Sequence, residues 1–155
     1  MNIKRMILGM ILLVSVSIFA QTKSEVDLIQ AAFGIEKQQI VSNYVSITKA
    51  QNESFWKIYD EYEAKRKELG KARIELLNQY SEQWDNLTNE QAEEWMKKVM
   101  DLSLKQDKLI NTYYSKVKKI TDARVATQFY QVEAFILTTI RYEILSAMPF
   151  VKGKK

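Results

Sequence analysis

The side chains able to do chemistry in this sequence are carboxylates, amines and guanidiniums. Asp60, Glu61 and Glu63 fall together, as do Glu90, Glu93 and Glu94. Clustered acids can exchange protons or hold a hard cation when their surroundings tune them, and nothing nearby in the sequence does so. Lys65, Arg66 and Arg73 lie beside Tyr62 and Leu69, a mixed basic and apolar group suited to gripping an unfolded polypeptide. Met96 and Met100 add polarizable, adaptable contacts of the kind used on promiscuous surfaces. Each group also has a plainer reading: acids as solvated helix faces, Arg66 and Arg73 paired with Glu63 or Glu75 at a wet edge, and methionines as packing.

The 155 residues contain neither Cys nor His. Those absences remove Ser-His-Asp and Cys-His nucleophiles, thiolate and imidazole metal sites, disulfides, and a proton switch near neutrality. Glycine-rich phosphate loops and nucleophile elbows are missing as well. The sequence therefore predicts no catalytic residue, no metal, no cofactor and no enzyme.

The elements that would position these groups are helices. Gly34, Gly70 and Pro149 are the only Gly or Pro between residues 10 and 152, too few turn formers for a sheet. Three segments put an aliphatic residue before Thr: Ile47-Thr48 with Gln51, Leu87-Thr88 with Gln91, and Ile120-Thr121 with Arg124. In the first two, the Thr hydroxyl can accept from the third helical N–H while Gln reaches back to the cap. Thr121 is read as a third start that lacks the reciprocal Gln. Long helices are predicted over about 49–84, 89–118 and 122–147, after a shorter one capped by Ser24 that carries Val26, Ile29 and Phe33, with Gly34 as an interruption or stop. On the first long helix, Phe55, Tyr59, Tyr62, Arg66, Leu69, Arg73, Leu76 and Tyr80 alternate three and four apart, as a packing seam requires.

A helix of about 36 residues would run near 54 Å, longer than the roughly 36 Å diameter of a compact chain this size. Either it folds back at Gly70, or the fold is an elongated, curved, antiparallel helical layer whose apolar stripes meet a second copy or a client. The expected architecture is all-α, with one short and three long helices, and a homodimer.

Residues 1–20 run from Lys4 and Arg5 through an apolar stretch to Ala20, the order of a secretory leader cleaved after Ala20. That leaves a single helical domain over 21–150 and a basic tail over 151–155. The apolar stretch is too short for a stable membrane span. Losing Lys4 and Arg5 lowers the net charge from +4 to +2, and no run of five like charges exists, so nucleic acid is not an expected partner.

At Leu87-Thr88-x-x-Gln91 and its variants, the chain resembles the Spy/CpxP superfamily of exported helical proteins, named for its LTxxQ motif, over roughly residues 40–145. Phe55 to Tyr62 and Phe129 to Glu133 resemble segments that follow such boxes in secreted proteins of Bacteroidetes-type bacteria. The resemblance implies a periplasmic, cradle-like antiparallel homodimer that holds unfolded or stressed proteins without ATP. Some relatives bind metal, for which this chain lacks His and Cys; others restrain a sensor kinase. The alternative expectation is thus a regulatory protein docking on a specific membrane sensor or an outer-membrane assembly partner.

Overall fold

The computed structural model describes residues 37–152, apart from the side chains of Glu143 and Ala147. The leader, the short helix expected from Ser24, and Lys154 and Lys155 of the basic tail lie outside the described residues. Helical residues 37–44 form α1, followed by α2 (Asn52–Gln83), α3 (Asn89–Ile120) and α4 (Ala123–Ala147). The fold is all-α, and no strand occurs among the described residues.

The Thr boxes differ in what they do. At α3 the Thr88 hydroxyl accepts from the Gln91 N–H at 3.2 Å, and Gln91 Oε1 accepts from the Thr88 N–H at 2.9 Å. Both halves of the capping box are closed. At the first copy, Gln51 Oε1 accepts from both the backbone N–H and the hydroxyl of Thr48, each at 3.0 Å. Thr48 thus donates instead of capping; a turn spans 49–51 and α2 begins at Asn52 with no side-chain cap. Thr121 closes α3 instead of opening α4, its hydroxyl donating to the Val117 carbonyl at 2.7 Å. Asp122 caps α4 by accepting from the Val125 N–H at 2.9 Å. The reason is chemical: with Arg124 in place of Gln, the neighbouring carboxylate is the better acceptor at the positive helix end.

Helix α2 runs unbroken through Gly70, so the chain does not fold back there, and its 32 residues extend about 48 Å. α2 and α3 form one antiparallel hairpin, tied by stacked Tyr80 and Trp95 rings 4.5 Å apart and by Tyr62 against Tyr113 at 5.4 Å. α3 and α4 form the next. α2 and α4, which run the same way, are bridged by Phe129 set edge-on to Tyr59 and Tyr62. α1 lies antiparallel to α2 and α4: Lys37 reaches Glu63 and Glu133, while Ser42 lies beside Trp56 and Ser46 bonds Gln128.

The core is therefore concentrated at one end. Ile40, Val41 and Val45 cover Phe55, Tyr59, Tyr62, Val117, Val125 and Phe129, all buried. At the other end Leu76 and Tyr80 are buried, but Leu69, Ile74, Leu77, Val99, Leu102, Ile140 and Ile144 are only half-buried. No helix of the described residues is long and apolar enough to cross a membrane.

Candidate functional site

Two constellations stand out. The first is buried. α1 presents Lys37 on the same face as Ile40 and Val41, and folding carries its ammonium between two carboxylates. It donates to Glu63 and to Glu133 Oε2, the latter at 2.7 Å. Arg66 forks onto the other side of Glu63, with Nε to Oε1 at 2.8 Å and Nη2 to Oε2 at 3.1 Å. Tyr59 donates its hydroxyl to Glu133 Oε1 at 3.1 Å. Two cations face two carboxylates, so the cluster is neutral, and Glu133 is 0% exposed.

Burial by itself would raise the Glu63 carboxyl, but Lys37 and Arg66 outweigh it and hold the group below the ordinary carboxylate value. Arg66 follows the same logic: burial works against its charge, and Glu63 more than restores it. The Tyr59 and Tyr62 hydroxyls are pushed far up, first by burial and then by the nearby negative charge of Glu133. Every charge here is compensated, and both phenols stay protonated. That arrangement locks three helices together. It presents no group to a substrate.

The second constellation is on the surface. Met96, Met100 and Leu104 stand four residues apart on α3 and are 43%, 52% and 69% exposed, forming a continuous apolar row on one flank of the helix. The salt bridges Glu93–Lys97, Glu94–Lys98 and Asp101–Lys105 occupy the adjoining exposed positions. They neutralise the local charge without covering the row. Past the same end of the layer, Tyr142 and Leu145 on α4 and then Phe150 and Val151 are also exposed. Tyr80 donates to the Pro149 carbonyl at 2.8 Å and Lys152 lies over the Trp84 ring, so this segment is fixed to α2.

The residues expected to grip a client are thus divided. Tyr62 and Arg66 are buried in the first constellation and offer a client no surface in this fold; Arg66 pairs with Glu63 inside the core instead of at a wet edge. Lys65 is exposed above the Tyr113 ring, and Leu69 is half-buried. Arg73 is half-buried and donates to Ser103 at 3.2 Å; burial first, then the like charge of Arg141, weaken its proton, with Asp107 opposing. Met96 and Met100 are free at the surface.

Sequence reasoning missed Lys37 and the role of Glu133. The signal was present: Lys37 is spaced three and four residues from Ile40 and Val41, and Glu133 shares a helix face with Phe129 and Ile136. A charge on a core stripe needs a partner on another element. Among the described residues no group of three or more acidic, His or Cys side chains is placed to hold a metal ion. No family model, curated protein or solved structure matches the chain.

Proposed function

We propose that this protein is an ATP-independent holder of unfolded or stressed proteins in the periplasm, acting as a homodimer. The observation that supports this reading is the exposed row of Met96, Met100 and Leu104. Flexible thioethers and a leucine can pack against many apolar sequences, and the flanking paired charges keep the surface soluble. Lys65 and Arg73 are assigned the secondary role of attracting acidic client segments. The resemblance to LTxxQ proteins, carried by the closed Thr88–Gln91 box, points the same way.

The test is suppression of aggregation of a chemically unfolded substrate, followed by light scattering, at equimolar dimer. The unaltered protein should slow it, and the triple change Met96→Glu, Met100→Glu, Leu104→Glu should abolish the effect while leaving the melting temperature unchanged. Failure of the unaltered protein to act, or full activity of the triple variant, would remove the proposal. A second reading is favoured by the exposed apolar residues Tyr142, Leu145, Phe150 and Val151 at the end of α4 and just after it, which suit one defined partner, such as a membrane sensor or an outer-membrane assembly protein. In-cell cross-linking from position 150 that recovers one stoichiometric protein would select it; many heterogeneous products would select the first.

A further inference from the structure

The two ends of the described α1 segment are fastened by different chemistry. Just past its C-terminal end, the Ser46 N–H donates to Gln128 Oε1 at 2.9 Å and Gln128 Nε2 donates to the Ser46 hydroxyl at 3.3 Å. These bonds are neutral and do not change with pH. At the other end the fastening is Lys37, whose ammonium is buried between Glu63 and Glu133. Between the two, Ile40, Val41 and Val45 lie over a floor of Phe55, Tyr59, Tyr62 and Phe129. The floor is continuous: Phe55–Tyr59, Tyr59–Tyr62 and Tyr62–Phe129 centroids are 6.1, 6.2 and 5.4 Å apart.

We infer that α1 is an acid-released strap: protonation of Glu63 and Glu133 frees its Lys37 end, and α1 swings about Ser46 and Gln128 off the aromatic floor while α2, α3 and α4 stay packed. The geometry makes Lys37 the group that leaves. Lys37 Nζ and Arg66 Nε donate to the same oxygen, Glu63 Oε1. A proton on that carboxylate sets two buried cations against each other, and a second on Glu133 removes the last counter-charge. Arg66 is carried on the same helix as Glu63, whereas Lys37 reaches water by moving α1 alone.

The remaining groups around the cluster supply no substitute for the carboxylates. From α2 the Tyr59 and Tyr62 rings lie 5.8 and 5.4 Å from the ammonium, and their phenols stay neutral in acid. From α3 comes Tyr113, against Tyr62. The Tyr62 and Tyr113 hydroxyls are buried with no hydrogen-bond partner among the described residues, so neither holds α1 closed. The cations keep the Glu63 carboxyl below its ordinary value in the closed form; withdrawing Lys37 raises its proton affinity, so acid favours the open form. The other helices are joined by contacts that do not need these charges: Tyr80 stacks on Trp95, Tyr62 packs on Tyr113, and Phe129 meets Tyr59 and Tyr62. Tyr59 can still donate to Glu133 once that acid is protonated.

Hydrogen exchange of the full chain, expressed as protection relative to the intrinsic rate at the same pH, reads local opening directly. Release that takes up one proton shifts the opening equilibrium about tenfold per pH unit below the open-state value. Between pH 7 and about pH 3, amides 41–45 should therefore lose protection at least about tenfold, while amides 97–113 of α3 keep theirs. Lys37→Met with Glu133→Met replaces the charged fastening by an apolar one, and in that variant 41–45 should stay protected at both pH values. Three results would each overturn the inference: a 41–45 segment that is open at pH 7 or keeps its protection in acid, loss of protection together with α3, or an acid response that survives in the double variant. No readout uses a client, so α1 release is decided separately from the client-holding reading.

Discussion

Replacing Lys37 by Met tests how α1 is held. The substitution keeps the length of the side chain and removes its charge, leaving Glu63 and Glu133 to share Arg66 alone. Glu63 retains its fork to Arg66 at 2.8 and 3.1 Å. Glu133 keeps only the Tyr59 hydroxyl at 3.1 Å, and it has no access to water. Breaking a buried pair from one side costs about 3–5 kcal/mol, because the remaining charge stays desolvated. That is a large part of the roughly 5–15 kcal/mol by which a domain is stable. At about 2–4 °C per kcal/mol for a chain of this length, the melting temperature should fall by roughly 6–20 °C. The second half of the experiment is the double variant Lys37→Met with Glu133→Met. It restores neutrality, with Glu63 and Arg66 still paired, and two methionines fill the space. The double variant should therefore be more stable than the single one, by at least about 2 kcal/mol in urea unfolding. A single variant that loses less than about 1 kcal/mol, or a double variant no better than the single, would refute the claim that desolvated charge holds α1 in place.

Other outcomes follow from the same geometry. The Glu63 carboxyl is lowered from 4.5, so the unfolded chain takes up that proton first as the solution is acidified. Its contribution is whole above about pH 4.5 and is lost as the pH falls through the folded value, which urea midpoints across that range will show. Tyr59 and Tyr62 are raised from 10.0, so the unfolded phenols ionise first in alkali. Their contribution is whole below about pH 10 and declines above it, visible as phenolate absorbance rising together with loss of helix. Thr88→Ala should cost about 1 kcal/mol by losing a true cap, while Thr48→Ala should cost clearly less because that hydroxyl only supports a turn; equal losses in thermal melts would contradict the assignment. Gln106 buries its Nε2 with no hydrogen-bond partner among the described residues. Gln106→Met should therefore raise stability by about 1 kcal/mol, and a loss would mean that the amide is satisfied in solution.

Local signals gave much of this protein before any fold was known. The shortage of Gly and Pro set the class. Thr88 with Gln91 marked the start of α3 to the residue, because a capping box is satisfied within four residues and needs nothing distant. The seam from Phe55 to Tyr80 named the buried face of α2 in the same way, since helical periodicity requires only a helix. Thr121 shows where that method fails: two adjacent residues, Thr121 and Asp122, could both cap, and the choice depended on which helix claimed the Thr hydroxyl.

What the sequence could not decide was which charged and apolar side chains face one another. Arg66 read either as part of a basic patch beside Tyr62 or as a partner of Glu63 or Glu75 at a wet edge; the Glu63 pairing is present, and only the arrival of Lys37 and Glu133 from helices far along the chain made it one corner of a buried neutral cluster. Met96 and Met100 looked like packing, and only the placement of α4 on the other side of α3 left them exposed. The physical reason is common to both cases. Helix formation is governed by bonds between residues three and four apart, whereas desolvation of a charge or a methionine depends on atoms supplied from dozens of residues away.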